Sequence, residues 1–319
     1  MKLAILDDYQ QVALKSADWK RLKGVEIKVF HDAFTSVDDA AQKLAPFDML
    51  CLLRERTAFP RALIERLPNL KFVALTGMRA GSLDSKALAE RGIPVSNTRS
   101  GNSTYLTSEL AWGLIINAAR DMAKGERNMR AGRWHEGLAP GIGLQGKRLG
   151  VIGLGKIGAR VAAAGKVFGM DVVAWSQNLT AEKAAEAGAS YLSKEDLLGT
   201  SDIVSLHLVL SDRTRGIIGA KELATMKPTA ILVNVSRGPL VDEKAMLGAL
   251  KSGRIAHAAL DVYDREPLPA DHPLRKMENV TLSPHLGYVN DENLRGFYGD
   301  ALENIEAFLA GKPIRVINP

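Results

Sequence analysis

Three ionisable side chains each stand just beyond a short apolar run: Arg237 after "ILVNVS", Glu266 after "ALDVYDR" and His285 after "NVTLSP". Singly, each has an ordinary explanation. Arg237, before Gly238 and Pro239, suits a loop ion pair; Glu266, before Pro267, suits a solvated turn; His285 suits a cap or a packed imidazole. Together they fit one reaction. Reducing a ketone beside a carboxylate needs a hydride donor, a proton donor and a cation. Histidine titrates near neutrality and can both give and take the proton. A carboxylate next to it favours the imidazolium and orients the ring. A guanidinium can bind a carboxylate through two parallel hydrogen bonds and polarise the adjacent carbonyl.

The hydride donor has its own signature. In "GVIGLGKIG" (150–158), Gly153, Gly155 and Gly158 stand in the spacing of a nucleotide-binding turn. The first allows the tight turn, the second lets a pyrophosphate approach the backbone, and the third lets helix and strand pack closely. Lys156 and Ile157 then open a helix whose free N–H groups and positive dipole end suit phosphates. The plain alternative is a glycine-rich packing turn with no ligand. An acid usually closes the following strand, where it holds a ribose hydroxyl. Here "DVVAWSQN" (171–178) offers Ser176, Gln177 and Asn178 instead.

These residues need a rigid scaffold, and the sequence supplies its rhythm. Short β-rich runs at 2–6, 25–30, 48–53, 71–75 and 93–97 alternate with helix-like stretches at 36–45, 60–67 and 84–91. A second set, at 148–154, 171–176, 202–208, 230–236, 257–263 and 279–285, alternates with helical patterns including 156–169 and 242–251. Strands alternating with helices predict parallel sheets covered on both faces, and ligands outside the carboxyl ends of the strands. The fold class expected is therefore α/β with two doubly wound parallel-sheet domains: a Rossmann dinucleotide-binding domain and a flavodoxin-like substrate domain. The boundaries expected are 1–100 plus 287–319 for the substrate domain and 101–286 for the dinucleotide-binding domain. A single long helix is expected over 103–122, a glycine-rich and charged arm or linker over 124–147, and a final helix over 290–310 packing on the first domain.

Composition narrows the function classes. With 46% apolar and 24% charged residues, the 319-residue chain has the balance of a soluble protein with more than one core. The start, "MKLAILDDYQ", has one apolar run cut by Asp7 and Asp8, too short for a signal segment. No run approaches a membrane helix, so a cytoplasmic location is expected. The net charge of +6 comes from scattered Lys and Arg without an aromatic-basic stripe, which argues for small anionic ligands over nucleic acid. The one cysteine, Cys51, reads as a buried structural thiol, and no Cys/His cluster has metal-ligand spacing.

The stretches "GKRLGVIGLGKIG", "MKPTAILVNVSRGPLVDEKAM", "AALDVYDREPL" and "LSPHLGY" resemble the D-isomer-specific 2-hydroxyacid dehydrogenases, in the same order and over nearly the whole chain. That family includes glyoxylate/hydroxypyruvate reductases and 3-phosphoglycerate dehydrogenases. The resemblance implies catalytic roles for Arg237, Glu266 and His285. It places Asp261 near the nicotinamide amide, Thr107 near the cofactor, and His207 and Val209 where the backbone passes the adenosine. It also aligns "FGMDVVAWS" with a family pattern in which Ser176 takes the position of the missing acid. A serine hydroxyl can bond a ribose hydroxyl or a 2′-phosphate, while Gln177 stands where an arginine clamp would favour NADP. Both NAD and NADP are expected to serve, with a slight lean to NAD.

On the substrate side, the family's glycine-rich loop has its counterpart in "TGMRAGSLD" (76–84), a departure that keeps Gly77 but puts Arg79 at the second glycine. Gly77, Met78 and Arg79 are the candidate substrate contacts there, with Arg54 in "LLRERT" beside them. Arg79 could add a guanidinium to the site or point to solvent; Arg54 could do the same or pair with Glu55. If both converge with Arg237 across a closing interdomain cleft, a substrate with a second acidic group is favoured. The arm around 125–145, with Trp134, resembles the family's dimerisation arm, so a homodimer is expected. The competing reading is a dinucleotide-sensing binding protein on the same fold. A formate dehydrogenase is disfavoured by Glu266, where that branch carries glutamine.

Overall fold

The computed structural model describes residues 1–99 and 101–318. The chain forms two compact units, Met1–Asn102 with the C-terminal segment from Val289, and Ser103–Tyr288.

The first unit carries β1 (Lys2–Ile5), β2 (Glu26–Val29), β3 (Met49–Leu52), β4 (Phe72–Leu75) and β5 (Val95–Asn97). Its strands run parallel in the order β2-β1-β3-β4-β5, the flavodoxin-like doubly wound arrangement. Side chains alternate between faces along each strand. Ala4, Leu50, Leu52, Val73, Leu75 and Val95 therefore point one way, against the helices Val37–Leu44, Arg61–Ile64 and Ser85–Glu90. On the opposite face Phe72 stacks on Phe308, ring centroids 4.5 Å apart, which fastens the final helix Asp291–Leu309 to this sheet. Trp19 meets Tyr298 edge-on from the same helix.

The second unit carries β6 (Arg148–Ile152), β7 (Asp171–Trp175), β8 (Ser190–Tyr191), β9 (Ile203–Leu206), β10 (Ile231–Asn234), β11 (His257–Leu260) and β12 (Val280–Leu282). The parallel order β12-β11-β10-β9-β6-β7-β8 reverses between β6 and β9, as in a Rossmann sheet. Alternation again divides the core. Leu149, Val151, Val172, Ala174, Ile203, Ile231 and Val233 face the helices Ser103–Arg120 and Lys156–Val167. Ile152, Val173, Val204, Leu206, Leu232 and Leu260 face those at Lys194–Thr200, Ala220–Thr225 and Glu243–Lys251. Both faces are buried, which is why these strands read as continuous apolar runs.

Two elements differ from the sequence expectation. The helix from Ser103 ends at Arg120, and Asp121 takes a left-handed φ of 49° before a second helix, Met122–Arg130. That helix occupies the start of the segment expected as an arm or linker. Its residues are mostly good helix formers, Glu126 pairs with Arg130 one turn on, and the Asn117 side chain accepts from Ala123 N–H at the break. The two-residue edge strand β8 carries too few residues for a periodic signal. Among the described residues, no helix is long and apolar enough to cross a membrane, and no group of three or more His, Cys, Asp and Glu is arranged to hold a metal.

Candidate active site

Arg237, Glu266 and His285 lie on the loops that leave β10, β11 and β12, three consecutive neighbours in the sheet. Parallel strands deliver all three loops to one edge. His285 Nδ1 and Glu266 Oε2 are 2.5 Å apart, with both side chains about three-quarters buried. The other oxygen of Glu266 accepts from Tyr263 N–H at 2.9 Å, so the carboxylate is held at both ends. His285 has a left-handed φ of 54°, a conformation that non-glycine residues adopt only when their surroundings hold it. Here the holding group is Asp261, which is fully buried. Its Oδ1 accepts from Ser283 Oγ at 2.6 Å and Leu286 N–H at 2.7 Å, and its Oδ2 from Gly287 N–H at 2.9 Å. Burial pushes the Asp261 carboxyl up, while these donors and the nearby His285 oppose the shift. Thr107 Oγ1 donates to Gly287 O at 2.8 Å, securing the far side of the loop.

Tyr263 ties the loops together. Its backbone holds Glu266, and its hydroxyl donates to Ser283 O at 2.9 Å on the histidine loop. A side chain at Gly238, next to Arg237, would run into the Tyr263 carbonyl group, so only glycine lets the arginine loop pass this close. Arg237 Nη1 donates to its neighbour Ser236 O at 2.6 Å. In the sequence Tyr263 carries no motif of its own. Its one signal is its place three residues before Glu266.

The glycine turn lies at the reversal between β6 and β9. Gly153 has φ 99°, and a Cβ there would stand 2.8 Å from the His207 carbonyl carbon and oxygen. The loops after β6 and β9 therefore touch where the sheet reverses. A Cβ at Gly158 would strike Gly153 O, whereas one at Gly155 would meet nothing within 4 Å. Gly155 caps the helix Lys156–Val167 without a side-chain hydrogen bond, and Gly155 and Lys156 are exposed. Ile157 is half-buried. Ser176 directly follows β7 and is half-buried, with Gln177 exposed beside it. Val209 is 84% exposed, unusual for valine. His207 bonds Ser205 Oγ through Nε2 at 2.9 Å, its Nδ1 is buried without a hydrogen-bond partner, and burial pushes its pKa down to about 3. A ring held neutral in this way cannot serve as the acid.

In the first unit, Arg54 follows β3 with φ 58°, and its N–H is accepted by Thr76 Oγ1. Its guanidinium lies where a side chain on Gly77 would stand. Gly77 N–H donates to Thr98 Oγ1, Met78 O accepts from Asn97 Nδ2, and Met78 and Arg79 are exposed. Glu55 Oε1 accepts from Gly81 N–H, tying the loop to the segment that carries Arg54.

Residues 112–287 match the D-isomer specific 2-hydroxyacid dehydrogenase, NAD binding domain. The chain belongs to this family. A glyoxylate reductase of Aeropyrum pernix is 42% identical over 80% of this chain and 78% of its own length. A D-3-phosphoglycerate dehydrogenase of Archaeoglobus fulgidus is 33% identical over 99% of this chain and 58% of its own length. The crystal structure of a phosphoglycerate oxidoreductase from Vibrio cholerae is 37% identical, with a TM-score of 0.91 over 98% of this chain and 99% of that one. All three are named as reductases, dehydrogenases or oxidoreductases, which supports an enzyme over a dinucleotide sensor.

This 2-hydroxyacid dehydrogenase is an NAD(P)-dependent oxidoreductase, and its glycine turn fits that cofactor. The space over Gly155 and the uncapped first turn after it suit a diphosphate, because backbone N–H groups there can point at the ligand and the helix dipole favours its charge.

Proposed function

We propose that this enzyme reduces small 2-oxoacids to D-2-hydroxyacids, with Arg237, Glu266 and His285 as its catalytic groups. The observation that carries the proposal is the 2.5 Å contact between His285 Nδ1 and Glu266 Oε2, with the carboxylate pinned by Tyr263 N–H. A carboxylate accepts and does not donate, so the proton between them belongs to Nδ1. That leaves Nε2 to face the substrate. A reduced nicotinamide, when bound, supplies the hydride. His285 Nε2 delivers a proton to the carbonyl oxygen, and Glu266 keeps the ring aligned while its charge changes. Arg237 binds the substrate carboxylate and draws electron density from the neighbouring carbonyl. In oxidation the same nitrogen takes the proton back.

For the cofactor we assign Gly153, Gly155, Lys156, Ile157 and Gly158 to the diphosphate, Ser176 and Gln177 to the ribose, and His207 and Val209 to the adenosine side. Thr107 and Asp261 are assigned to the nicotinamide side, Asp261 in addition to its hold on the histidine loop. Arg54, Gly77, Met78 and Arg79 are assigned to the substrate. The relatives named for glyoxylate and for 3-phosphoglycerate define the range of candidates, and two arginines on the first unit favour a substrate with a second acidic group. The enzyme is proposed to be a cytoplasmic homodimer that pairs through the segment carrying Met122, Met129 and Trp134, each more than half exposed.

The test is absorbance at 340 nm with a panel of 2-oxoacids, run with both NADH and NADPH. Turnover of at least one small 2-oxoacid is expected, with kcat/KM for the two cofactors within about 100-fold, or about 2.7 kcal/mol. No oxidation of either cofactor by any member would overturn the proposal. A larger ratio would show that Ser176 and Gln177 discriminate.

A further inference from the structure

The contact between Glu266 and His285 leaves one motion open. A hydrogen bond bends easily, so a ring pinned at Nδ1 can still rock about its Cα–Cβ and Cβ–Cγ bonds, and that rocking displaces Nε2, which lies on the far side of the ring. Limiting it takes a second contact on the ring itself. Tyr288 provides one: its ring centroid lies 5.7 Å from that of His285, with the two planes at 79°. Tyr288 is itself 3% exposed and so cannot move aside easily. Its backbone follows Gly287, whose N–H is held by Asp261 and whose carbonyl is held by Thr107. The contact is therefore made from an anchored loop. An edge-to-face pair of this kind is attractive beyond the area it buries, which narrows a ring's rocking.

We propose that Tyr288 is a positioning residue for the reaction, acting through His285: its aromatic ring limits the rocking of the imidazole about its Cα–Cβ and Cβ–Cγ bonds and so fixes the direction of Nε2. The inference rests on the reading of His285 as the acid. It assigns the work to the ring of Tyr288, so phenylalanine should serve as well. Misplacing a reacting group by about 1 Å can cost about 100-fold in rate. Because Tyr288 acts on the proton donor, the loss should fall on kcat and leave the dissociation constant of NADH unchanged.

The experiment compares Tyr288→Phe, Tyr288→Leu and Tyr288→Ala in the full chain by kcat, KM, NADH binding measured by fluorescence, and proton NMR. The NMR readout is the strongly deshielded imidazole proton that a 2.5 Å contact between Nδ1 and a carboxylate should produce. Tyr288→Phe is expected to keep kcat within about threefold and to keep the resonance. Tyr288→Leu, which fills much of the volume without a ring, is expected to lose about 10- to 100-fold in kcat and to broaden or lose the resonance. Tyr288→Ala should behave like Tyr288→Leu or worse; if it does not fold, Tyr288→Leu decides. A folded Tyr288→Leu with native kcat and resonance overturns the proposal. So does a Tyr288→Phe as impaired as Tyr288→Leu, because the hydroxyl would then be the active part. His285→Gln separates the two readings: if it turns over normally, the assignment of the acid fails whatever the tyrosine variants do.

Discussion

Each unit buries an aspartate beyond a strand end, and the two are treated oppositely. Asp261, directly after β11, is fully enclosed and spends both oxygens on three donors from the histidine loop. Asp7, two residues after β1, is just as enclosed. Its Oδ1 accepts from Thr57 Oγ1 at 2.9 Å and takes a longer contact of 3.4 Å from the Tyr9 hydroxyl. Its Oδ2 is buried with no hydrogen-bond partner. Burial pushes the Asp7 carboxyl up to about 6, against the pull of Thr57 and Arg56. The contrast separates two uses of a buried acid. In the second unit the carboxylate positions a neighbouring loop in a left-handed conformation. In the first it stands beside a loop already tied by Arg56, which reaches the Asp7 carbonyl and lies over the Tyr9 ring, and the charged form carries a cost the surrounding groups do not fully offset.

The largest effect expected is on the group that Asp261 positions. His285→Ala should lower kcat by about 10²- to 10⁴-fold while leaving NADH binding intact. A kcat within tenfold of the native enzyme would remove the reason for the second unit's elaborate loop. Next is Asp261→Ala, which leaves the Ser283 hydroxyl and the Leu286 and Gly287 N–H groups without their acceptor. At about 1–3 kcal/mol for each buried group left unpaired, it should lose several kcal/mol of stability to urea, together with most of kcat.

Asp7→Asn should act in the opposite direction. The folded-state pKa lies above the unfolded value of 3.8, so the folded chain holds the proton more tightly. Below about pH 4 the group is protonated in both states. As pH rises from about 4 through about 6 the native enzyme loses the stability this group contributed, about 3 kcal/mol in all. The asparagine variant should therefore melt higher than the native enzyme at pH 8, with the advantage fading towards pH 4. An advantage independent of pH, or its absence at pH 8, would break the contrast with Asp261. The smallest effect concerns Arg79. Arg79→Ala should lower kcat/KM for dicarboxylic or phosphorylated 2-oxoacids by up to about tenfold relative to glyoxylate, a difference of about 1.4 kcal/mol. An unchanged ratio would leave this exposed arginine without a part in substrate choice.

The expectation from sequence was sound where the signal is local. Strand and helix alternate within windows of a few residues, so both sheets could be read from runs such as "ILVNVS" and "KFVAL". The glycine turn could be read because its three glycines answer needs of backbone geometry within six residues. Arg237, Glu266 and His285 could be read because a parallel sheet delivers the end of every strand to one edge. Asp121 was not legible, since one left-handed residue breaks a helix without interrupting its apolar pattern. Nor was Asp7, which in sequence only cuts an apolar run.

By itself, then, the sequence determined the two parallel sheets, the nucleotide turn and the three candidate catalytic side chains, because each follows from short-range periodicity or from a strand's end. Only the tertiary structure decided what holds those side chains. Asp261 reaches Leu286 25 residues away, and Thr107 reaches Gly287 180 residues away. Tyr263 stands between the arginine and histidine loops because β10, β11 and β12 are neighbours in space. Partners so far apart along the chain are chosen by strand order and close packing, and no local pattern records that choice.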